Sequence, residues 1–367
     1  MTKLSLKRPM DDGYVTDYRE TGRMTLDLRH RFAAGRGYLG AATLGLPADV
    51  TVAALRRDVE TYATGTVDVM AYTASVEAAR GYAATLLGVV PSRVAVGSQA
   101  SVFVGLAAAA APPGAEVVCV DGDFASVVRP FLARGDLRVR QVPLAELAEA
   151  VGADTWMVAY ALVSSSTGEL ADVAAVSAAA RDTGARVLVD VTQATGWLPT
   201  TGLEGDLVVC HTYKWLCAPR GSAFAAFSER AQQEIRPLTA GWYSAADPWA
   251  SCYGPELDLA PDASRYDVSP AWHAWVGAEA ALGFAVSLDA TEVHDHAVGL
   301  ANRFRERIAL GPSDSAIVSW PDPDGAHLAA FGAAGVVASG RAGRARVSFH
   351  LWNDEEDVDL AARSLGR

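Results

Sequence analysis

Between residues 92 and 228 the chain alternates short apolar runs with longer Ala/Leu-rich segments, and this alternation restricts the fold more than any other feature. Most of the runs are nearly continuous in valine and other apolar residues, as expected of strands buried on both faces of a sheet. Segments such as VFVGLAAAAA and ADVAAVSAAARDTG are typical of the helices that connect parallel strands. We therefore predict an α/β fold with a mostly parallel sheet, built from the runs SRVAVGS, AEVVCVDGD, LRVRQVP, TWMVAYALV, ARVLVDVT, DLVVCHTY and GSAFAAFS.

Polar and small residues follow most of these predicted strands directly. Ligands of open parallel sheets bind outside the carboxyl ends of the strands, so residues at these positions are candidates for a common site. They are Gly97 to Ser101, Asp123 and Phe124, Ser164 to Thr167, Asp190 to Gln193, and His211 to Lys214.

Composition excludes several classes of function. A formal charge of −12 argues against nucleic acid or an anionic membrane as the main partner. No apolar run approaches the roughly 20 residues of a membrane span, and the first residues (MTKLSLKRPMDDGY) are polar, so we expect a cytoplasmic protein. The four cysteines show no paired spacing, and we predict neither a metal site nor a disulfide framework.

Lys214 is one of only three lysines in a chain with 28 arginines, and the other two are Lys3 and Lys7. It follows an apolar run and stands between Tyr213 and Trp215, which weakens its interpretation as a solvated surface lysine. A lone lysine in mid-chain after a buried strand indicates a chemical role.

Asp190 ends the predicted strand RVLVD, 24 residues before Lys214. A carboxylate in this position can keep the nitrogen of a pyridine ring protonated and so make the ring an electron sink. The alternative is a helix N-cap, a common role for Asp after a strand. The pairing with Lys214 favours the first interpretation.

The segments D-V-T-Q-A-T-G-W (190–197) and C-H-T-Y-K-W-L-C-A-P-R-G-S-A-F (210–224) resemble class V of the fold-type-I pyridoxal-phosphate enzymes. That class includes cysteine desulfurases, C–S lyases, kynureninase and isopenicillin N epimerase. The resemblance extends from Y-L-G-A-A-T-L-G (38–45) to R-V-S-F-H-L-W-N-D-E-E-D-V (346–358). It implies an aminotransferase-like fold, pyridoxal 5'-phosphate as cofactor, an amino acid as substrate and a homodimer with shared active sites.

The resemblance also implies roles for individual residues. Lys214 resembles the lysine that holds the cofactor as a Schiff base and then moves protons at the substrate carbons. Asp190 resembles the partner of the pyridine nitrogen, and Gln193 the donor to the phenolic oxygen of the ring. Phe124 matches the position of the ring that stacks on the cofactor, where many desulfurases have His and kynureninase-like members have Phe; an ordinary core Phe is the alternative. Ser165 lies where desulfurases have an Asn-Asn-Glu run that contacts the cofactor.

Other positions resemble the phosphate site of the class. Ala100 and Ser101 end G-S-Q-A-S (97–101), a strand-to-helix turn suited to an anion, although a simple turn with Ser caps is the alternative. His211 and Tyr213 stand where relatives also contact the phosphate. Ser269 resembles the residue that reaches the phosphate across a dimer interface.

Arg346, in R-x-S-x-x-x-W-N, resembles the arginine that binds the substrate α-carboxylate, and Thr43 of the N-terminal motif is assigned to the same substrate site. Arg341 and Arg344 are nearby candidates for that contact, and a plain salt bridge is the alternative for each.

The position of the cysteines bears on the reaction. A persulfide-forming desulfurase needs a nucleophilic cysteine late in the chain, but no cysteine follows Cys252, which we expect to be a small buried hydrophobic residue. We favour a lyase that releases a thiolate from a cysteine S-conjugate, and we expect a role in natural-product biosynthesis. An epimerase or a decarboxylating deaminase of an amino acid, and a non-catalytic binding protein, are the alternatives.

We predict three parts of the chain: an N-terminal arm (1–45), a large cofactor-binding domain (46–261) and a smaller C-terminal α+β domain (262–367). A long helix, SPAWHAWVGAEAALGFAVSL, opens the last part.

Overall fold

The computed structural model of the chain describes residues 26–33 and 35–367. The first 25 residues of the predicted N-terminal arm, and Ala34, lie outside this range.

A seven-stranded mixed sheet forms the centre of the fold, and each of the seven predicted runs supplies one strand. Its spatial order is β1-β7-β6-β5-β4-β2-β3, and all neighbours are parallel except for β7, which runs antiparallel to β1 and β6. The predicted α/β class is therefore confirmed. The strands are β1 (Val94–Gly97), β2 (Glu116–Val120), β3 (Arg138–Val142), β4 (Thr155–Ala161), β5 (Arg186–Asp190), β6 (Leu207–His211) and β7 (Ala223–Phe227).

Helices cover both faces of this sheet. Two separate apolar cores result, one containing Val96, Val158 and Val189 and the other containing Ala95, Ala159 and Leu188. Because successive side chains of a strand point to opposite faces, near-continuous apolar runs fill both cores. The helices up to β7 and directly after it are α1 (Asp49–Thr64), α2 (Val69–Leu87), α3 (Ala100–Ala110), α4 (Ala125–Arg134), α5 (Leu147–Ala150), α6 (Val173–Thr183) and α7 (Glu229–Glu234).

Helix boundaries follow from local chemistry. The Asp172 side chain accepts a hydrogen bond from the backbone N–H of Ala175 and begins α6, which ends at Gly184 in the left-handed conformation (φ 76°). Glycine adopts this φ at little cost because it has no Cβ.

The C-terminal part contains a small antiparallel sheet in the order β8-β10-β9. A third core lies between this sheet and the helices that pack on it, with Phe304 and Val347 fully buried. Its elements are α9 (Ala290–Arg307), β8 (Ile317–Pro321), α10 (Ala326–Ala333), β9 (Ser339–Arg341), β10 (Arg344–Ser348) and α11 (Glu355–Ser364).

The long helix predicted after residue 268 is present as α8 (Trp272–Val286). It packs against α1 and α2 of the preceding part of the chain. The division into domains at residue 262 stays a prediction. Within the described ranges, the helices are all too short or too polar to cross a membrane.

Candidate active site

A cavity opens at the carboxyl ends of the parallel strands, where the sequence placed the candidate residues. Eight of the ten predicted cofactor-binding residues line it: Ala100, Phe124, Ser165, Asp190, Gln193, His211, Tyr213 and Lys214. Three further residues, Ser126, Ala161 and Thr192, complete the lining.

Lys214 lies on the loop between β6 and β7 and is 5 % exposed. Its Nζ is 5.1 Å from the ring centroid of Phe124 and 5.8 Å from that of Tyr213, and it makes no hydrogen bond to any residue that the structure describes. Burial lowers the pKa of this amine to about 8, against the opposing charge of Asp190. About one tenth of Lys214 is therefore the neutral, nucleophilic amine at pH 7, a far larger share than for an ordinary lysine.

The backbone of the lysine loop is held by close contacts with the N-terminal segment. The N–H of Gly45 donates to the carbonyl of Tyr213 at 2.9 Å. A Cβ at position 45 would lie only 1.8 Å from the carbonyl oxygen of Lys214, so only glycine fits there. Cys217 closes the loop with a positive φ of 57°, a conformation uncommon for a residue with a side chain.

Asp190 ends β5 and is 5 % exposed. Its Oδ1 accepts a hydrogen bond from the N–H of Thr192 at 2.8 Å. Burial raises the pKa of this carboxyl group, while the bonds from Thr192 and the charge of Lys214 act to lower it. No helix begins between β5 and β7 in the described chain, and the next one, α7, starts only at Glu229, so the helix-cap interpretation of Asp190 does not apply.

Gln193 is fixed by hydrogen bonds at both ends of its amide. Its Nε2 donates to the carbonyl of Ala42 at 2.9 Å, and its Oε1 accepts from Nε1 of Trp215 at 2.8 Å. Since an amide nitrogen has two hydrogens, one N–H of Gln193 is left to serve a ligand in the cavity.

The predicted phosphate side of the cavity combines His211, Tyr213 and the start of α3. Burial lowers the pKa of His211 to about 4, with the charge of Arg220 as the next cause, so the imidazole is neutral. Its Nδ1 is buried and has no hydrogen-bond partner. Helix α3 begins at Ala100 without a side-chain cap, which leaves backbone N–H groups available to an anion.

Phe124 stands at the start of α4 and is 44 % exposed, which leaves its ring accessible from the cavity. Asp123 holds its backbone in place, because Oδ1 accepts from the N–H of Phe124 at 2.6 Å and Oδ2 from the N–H of Ala161 at 2.8 Å. Burial raises the pKa of Asp123 to about 6.

Arg346 on β10 is 1 % exposed yet makes no ion pair with a carboxylate of the described chain. Its guanidinium donates to Oγ1 of Thr43 at 2.7 Å, to Oγ of Ser339 at 3.1 Å and to the carbonyl of Ser165. Burial lowers its pKa to about 10, and the charge of Arg341 adds to this. Arg346 therefore does not form a salt bridge within the described chain. Its three neutral partners orient the guanidinium and leave its positive charge uncompensated.

Some predicted residues lie elsewhere. Ser101 is partly buried beside Ala100 but does not line the cavity, and exposed Ser269 lies outside it, so its predicted contact with a second subunit stays a prediction. The expectation that Cys252 is buried is wrong, because it lies on an exposed segment. Among residues 26–33 and 35–367 no group of three or more metal-binding side chains occurs.

Two lining residues, Ser126 and Ala161, were not predicted from the sequence, where only their positions near predicted site residues or a strand end pointed to them. Ser126 follows Phe124 by two positions at the first turn of α4, and Ala161 is the last residue of β4. Thr192 stands inside the segment assigned to Asp190 and Gln193, and its Oγ1 accepts from the N–H of His211 at 2.9 Å.

Comparisons with known proteins agree with this geometry. The family model for aminotransferase class V matches residues 76–339. A kynureninase from Deinococcus radiodurans is 31 % identical over 234 residues, which are 60 % of this chain and 56 % of the relative. The chain thus spans little more than half of the length of that relative.

Solved structures share the fold at low identity. A variant of C-DES with glycine covalently linked to its PLP cofactor has a TM-score of 0.81 at 20 % identity, with 92 % of this chain and 98 % of that one covered. The cysteine desulfurase CsdA from Escherichia coli has a TM-score of 0.79 at 20 % identity, covering 92 % and 96 %. The chain belongs to the class V aminotransferase family of pyridoxal-phosphate enzymes, and it has their type I fold.

Proposed function

We propose that this enzyme is a C–S lyase that eliminates a thiol from a cysteine S-conjugate. The observation that carries the proposal is the pairing of a buried amine, Lys214, with a buried guanidinium, Arg346, that has no carboxylate partner in the described chain. An amine and an unneutralised guanidinium are the groups needed to move a proton at the α-carbon and to bind the α-carboxylate of an amino acid.

The residues of the cavity fit pyridoxal 5'-phosphate. We assign Lys214 to its covalent attachment, Asp190 to the ring nitrogen and the remaining N–H of Gln193 to the phenolic oxygen. The unpartnered Nδ1 of His211 and the uncapped start of α3 suit the phosphate. When bound, this cofactor withdraws electrons from the α-carbon of an attached amino acid.

The proton transfers then fall to Lys214. Its pKa of about 8 allows it to take the α-proton as a neutral amine near neutral pH. Phe124 cannot exchange protons, so it supports this assignment by leaving no second acid or base at its position. As the Cα–H bond breaks, the electron pair forms a Cα–Cβ double bond and the sulfur at Cβ leaves as a thiolate.

The four cysteines argue against sulfur transfer to a protein thiolate. Cys119, Cys210 and Cys217 are buried, and burial raises the pKa of each thiol. Cys252 is exposed but does not line the cavity. A lyase needs no protein thiolate, because the leaving sulfur departs with the product.

The second candidate breaks a different bond of the amino acid, as an epimerase or a decarboxylating deaminase does. The 31 % identity to a kynureninase leaves room for a reaction other than C–S cleavage. Family membership and the buried Lys214–Asp190 pair favour either enzyme over a non-catalytic binding protein.

We also propose a homodimer in which Ser269 reaches the phosphate of the neighbouring site. Exposed Tyr253 and Leu257, 95 % and 76 % accessible, suit an interface between two chains. A fully active monomer in sedimentation analysis would refute the dimer. A cytoplasmic location and a role in natural-product biosynthesis remain parts of the proposal, to be tested by cell fractionation and by gene disruption.

The decisive experiment is incubation of the PLP-loaded enzyme with L-cysteine S-conjugates, followed by analysis of pyruvate, thiol, CO2 and inverted amino acid. Pyruvate and thiol in equal amounts support the lyase. Either CO2 or the inverted amino acid, without pyruvate, supports the second candidate.

A further inference from the structure

Three arginines lie on one face of the small sheet. Arg344 and Arg346 are two residues apart on β10, and Arg341 on β9 is paired with Arg344. Because side chains alternate along a strand and paired residues share a face, all three point to the same side. Ser339, which pairs with Arg346 and accepts its hydrogen bond, stands two residues from Arg341, a distance of about 7 Å along the strand.

The three guanidinium groups differ in their partners. Arg346 is bound by Thr43, Ser165 and Ser339, as described above. Arg344 donates to Oγ and to the carbonyl of Ser319 at 2.9 Å each. Arg341 is exposed, donates only to the carbonyl of Gly340, its own neighbour, and makes no ion pair within the described ranges of the chain.

The charge of Arg341 nevertheless reaches the active site. It lowers the pKa of Lys214 and of Arg346, although burial is the larger cause for both. Arg341 therefore lies within electrostatic range of the groups assigned to the amino-acid substrate, and an anion placed beside it would relieve the repulsion between the two arginines.

A tight hairpin fixes where Arg341 stands. Ala342 and Gly343 connect β9 to β10 with positive φ angles of 49° and 70°. Two consecutive residues in this region are typical of a type I′ turn, which sets the register of the two strands. Positive φ is uncommon for alanine, so the turn is held by the pairing on both sides.

We propose that Arg341 binds a second anionic group of the substrate, and that the enzyme prefers amino acids with an acid group at the end of the side chain. With the proposed function, on which this inference rests, the preferred substrates are acidic cysteine S-conjugates. Arg346 then holds the α-carboxylate, and Arg341 holds the distal carboxylate, sulfonate or second amino-acid carboxylate.

Two amino acids that differ only in charge test the proposal: S-carboxymethyl-L-cysteine and its neutral amide, S-carbamoylmethyl-L-cysteine. Their dissociation constants are measured from the visible absorption of the PLP-loaded enzyme, and pyruvate release is measured in parallel. The proteins are the wild type, Arg341→Gln, Arg341→Lys and the matched control Arg344→Gln. L-Glutamate and L-glutamine repeat the comparison with compounds that contain no sulfur.

We expect the wild type to bind the acidic member of each pair about 10- to 100-fold more tightly than the neutral one. Arg341→Gln should lose this preference with little change for the neutral compound, Arg341→Lys should keep part of it, and Arg344→Gln should keep all of it. An equal loss for acidic and neutral compounds, no preference in the wild type, or no binding of either acidic compound overturns the proposal. If the preference is present and no pyruvate forms, the lyase assignment fails and the role of Arg341 stands. If Arg341→Gln changes dimer formation but keeps the preference for the acidic compounds, Arg341 pairs with a carboxylate of a second chain. That result would also overturn the proposal.

Discussion

The indole Nε1 of Trp215 donates a hydrogen bond to Oε1 of Gln193 at 2.8 Å. The residue that follows the lysine in the chain thus orients the amide assigned to the ring of the cofactor. Since Oε1 accepts this bond, Nε2 has to point the other way, towards Ala42 and the cavity. The lysine loop and the Gln193 side chain are therefore positioned as one unit.

Trp215→Phe should weaken cofactor binding about 5- to 10-fold and shift its visible absorption, because loss of one buried hydrogen bond costs about 1 to 1.5 kcal/mol and frees the amide to rotate. Equilibrium dialysis and absorption spectra measure both effects. The matched control is Trp197→Phe, which loses a bond to the backbone carbonyl of Gln193 and leaves the amide in place. Equal loss of affinity in both variants would contradict the assignment.

Covalent attachment of the cofactor to the apoprotein should speed up with pH and level off above pH 8. Burial lowers the pKa of Lys214 to about 8, so the reactive neutral amine predominates above this value, rather than above the usual 10.5. Stopped-flow absorption after mixing with pyridoxal phosphate gives the profile. Lys214→Ala should give no covalent product after borohydride reduction and mass mapping. A midpoint above pH 10 in the wild type would mean that the amine is not desolvated.

Asp190→Asn should lower turnover by about 100- to 10,000-fold, since the neutral amide cannot hold a proton on a pyridine nitrogen. Thermal unfolding should show a folded protein, because the amide is similar in size. Asp172→Asn, at the start of α6, is the control for a general effect of losing a carboxylate. Near-normal turnover of Asp190→Asn would remove this residue from the catalytic group.

Arg346→Ala should raise KM for a cysteine conjugate by about 30- to 1000-fold, because removing a buried charged partner of a carboxylate costs about 2 to 4 kcal/mol. The change in kcat should be much smaller. Arg344→Ala, on the same strand but bound to Ser319, should leave KM nearly unchanged. If the two variants behave alike, Arg346 does not bind the α-carboxylate.

Each of the four single Cys→Ser variants should retain turnover per folded molecule, because the leaving thiol needs no protein thiolate. The variants at the buried positions 119, 210 and 217 should unfold at a lower temperature than the wild type, and Cys252→Ser should unfold at the same temperature. Thiol release and thermal melting measure the two properties separately. Loss of sulfur release in Cys252→Ser alone would replace the lyase with a divergent desulfurase.

The sheet and most of the cavity were predictable because strands buried on both faces have to be apolar, and their carboxyl ends have to converge. The roles assigned to Lys214 and Asp190 rest largely on the resemblance to class V enzymes. The structure places both residues in one cavity. Hydrogen bonds that depend on which strands pair in the folded chain could not be predicted. Ser339 supports Arg346 only because β9 and β10 pair in one register, and no local pattern reveals it.

The exposure of single side chains could not be predicted from the sequence either. Cys252 is apolar enough to be buried, but it stands on a segment without regular structure that no described element covers. The position of Ser101 was also not predictable. Successive residues of α3 point in different directions, so Ala100 faces the cavity and Ser101 does not.

The close approach at Gly45 has a consequence for the order in which this chain folds during synthesis. The segment around it also contacts the end of β10, because the N–H of Ser348 donates to Leu39 at 2.9 Å and the N–H of Ala42 donates to Oγ of Ser348 at 3.0 Å. These partners are made some 300 residues later. Residues 39–45 leave the ribosome early, yet their bonds to Ser348 can form only when almost the whole chain has emerged, so contacts around an early segment of the active site are completed by one of the latest residues.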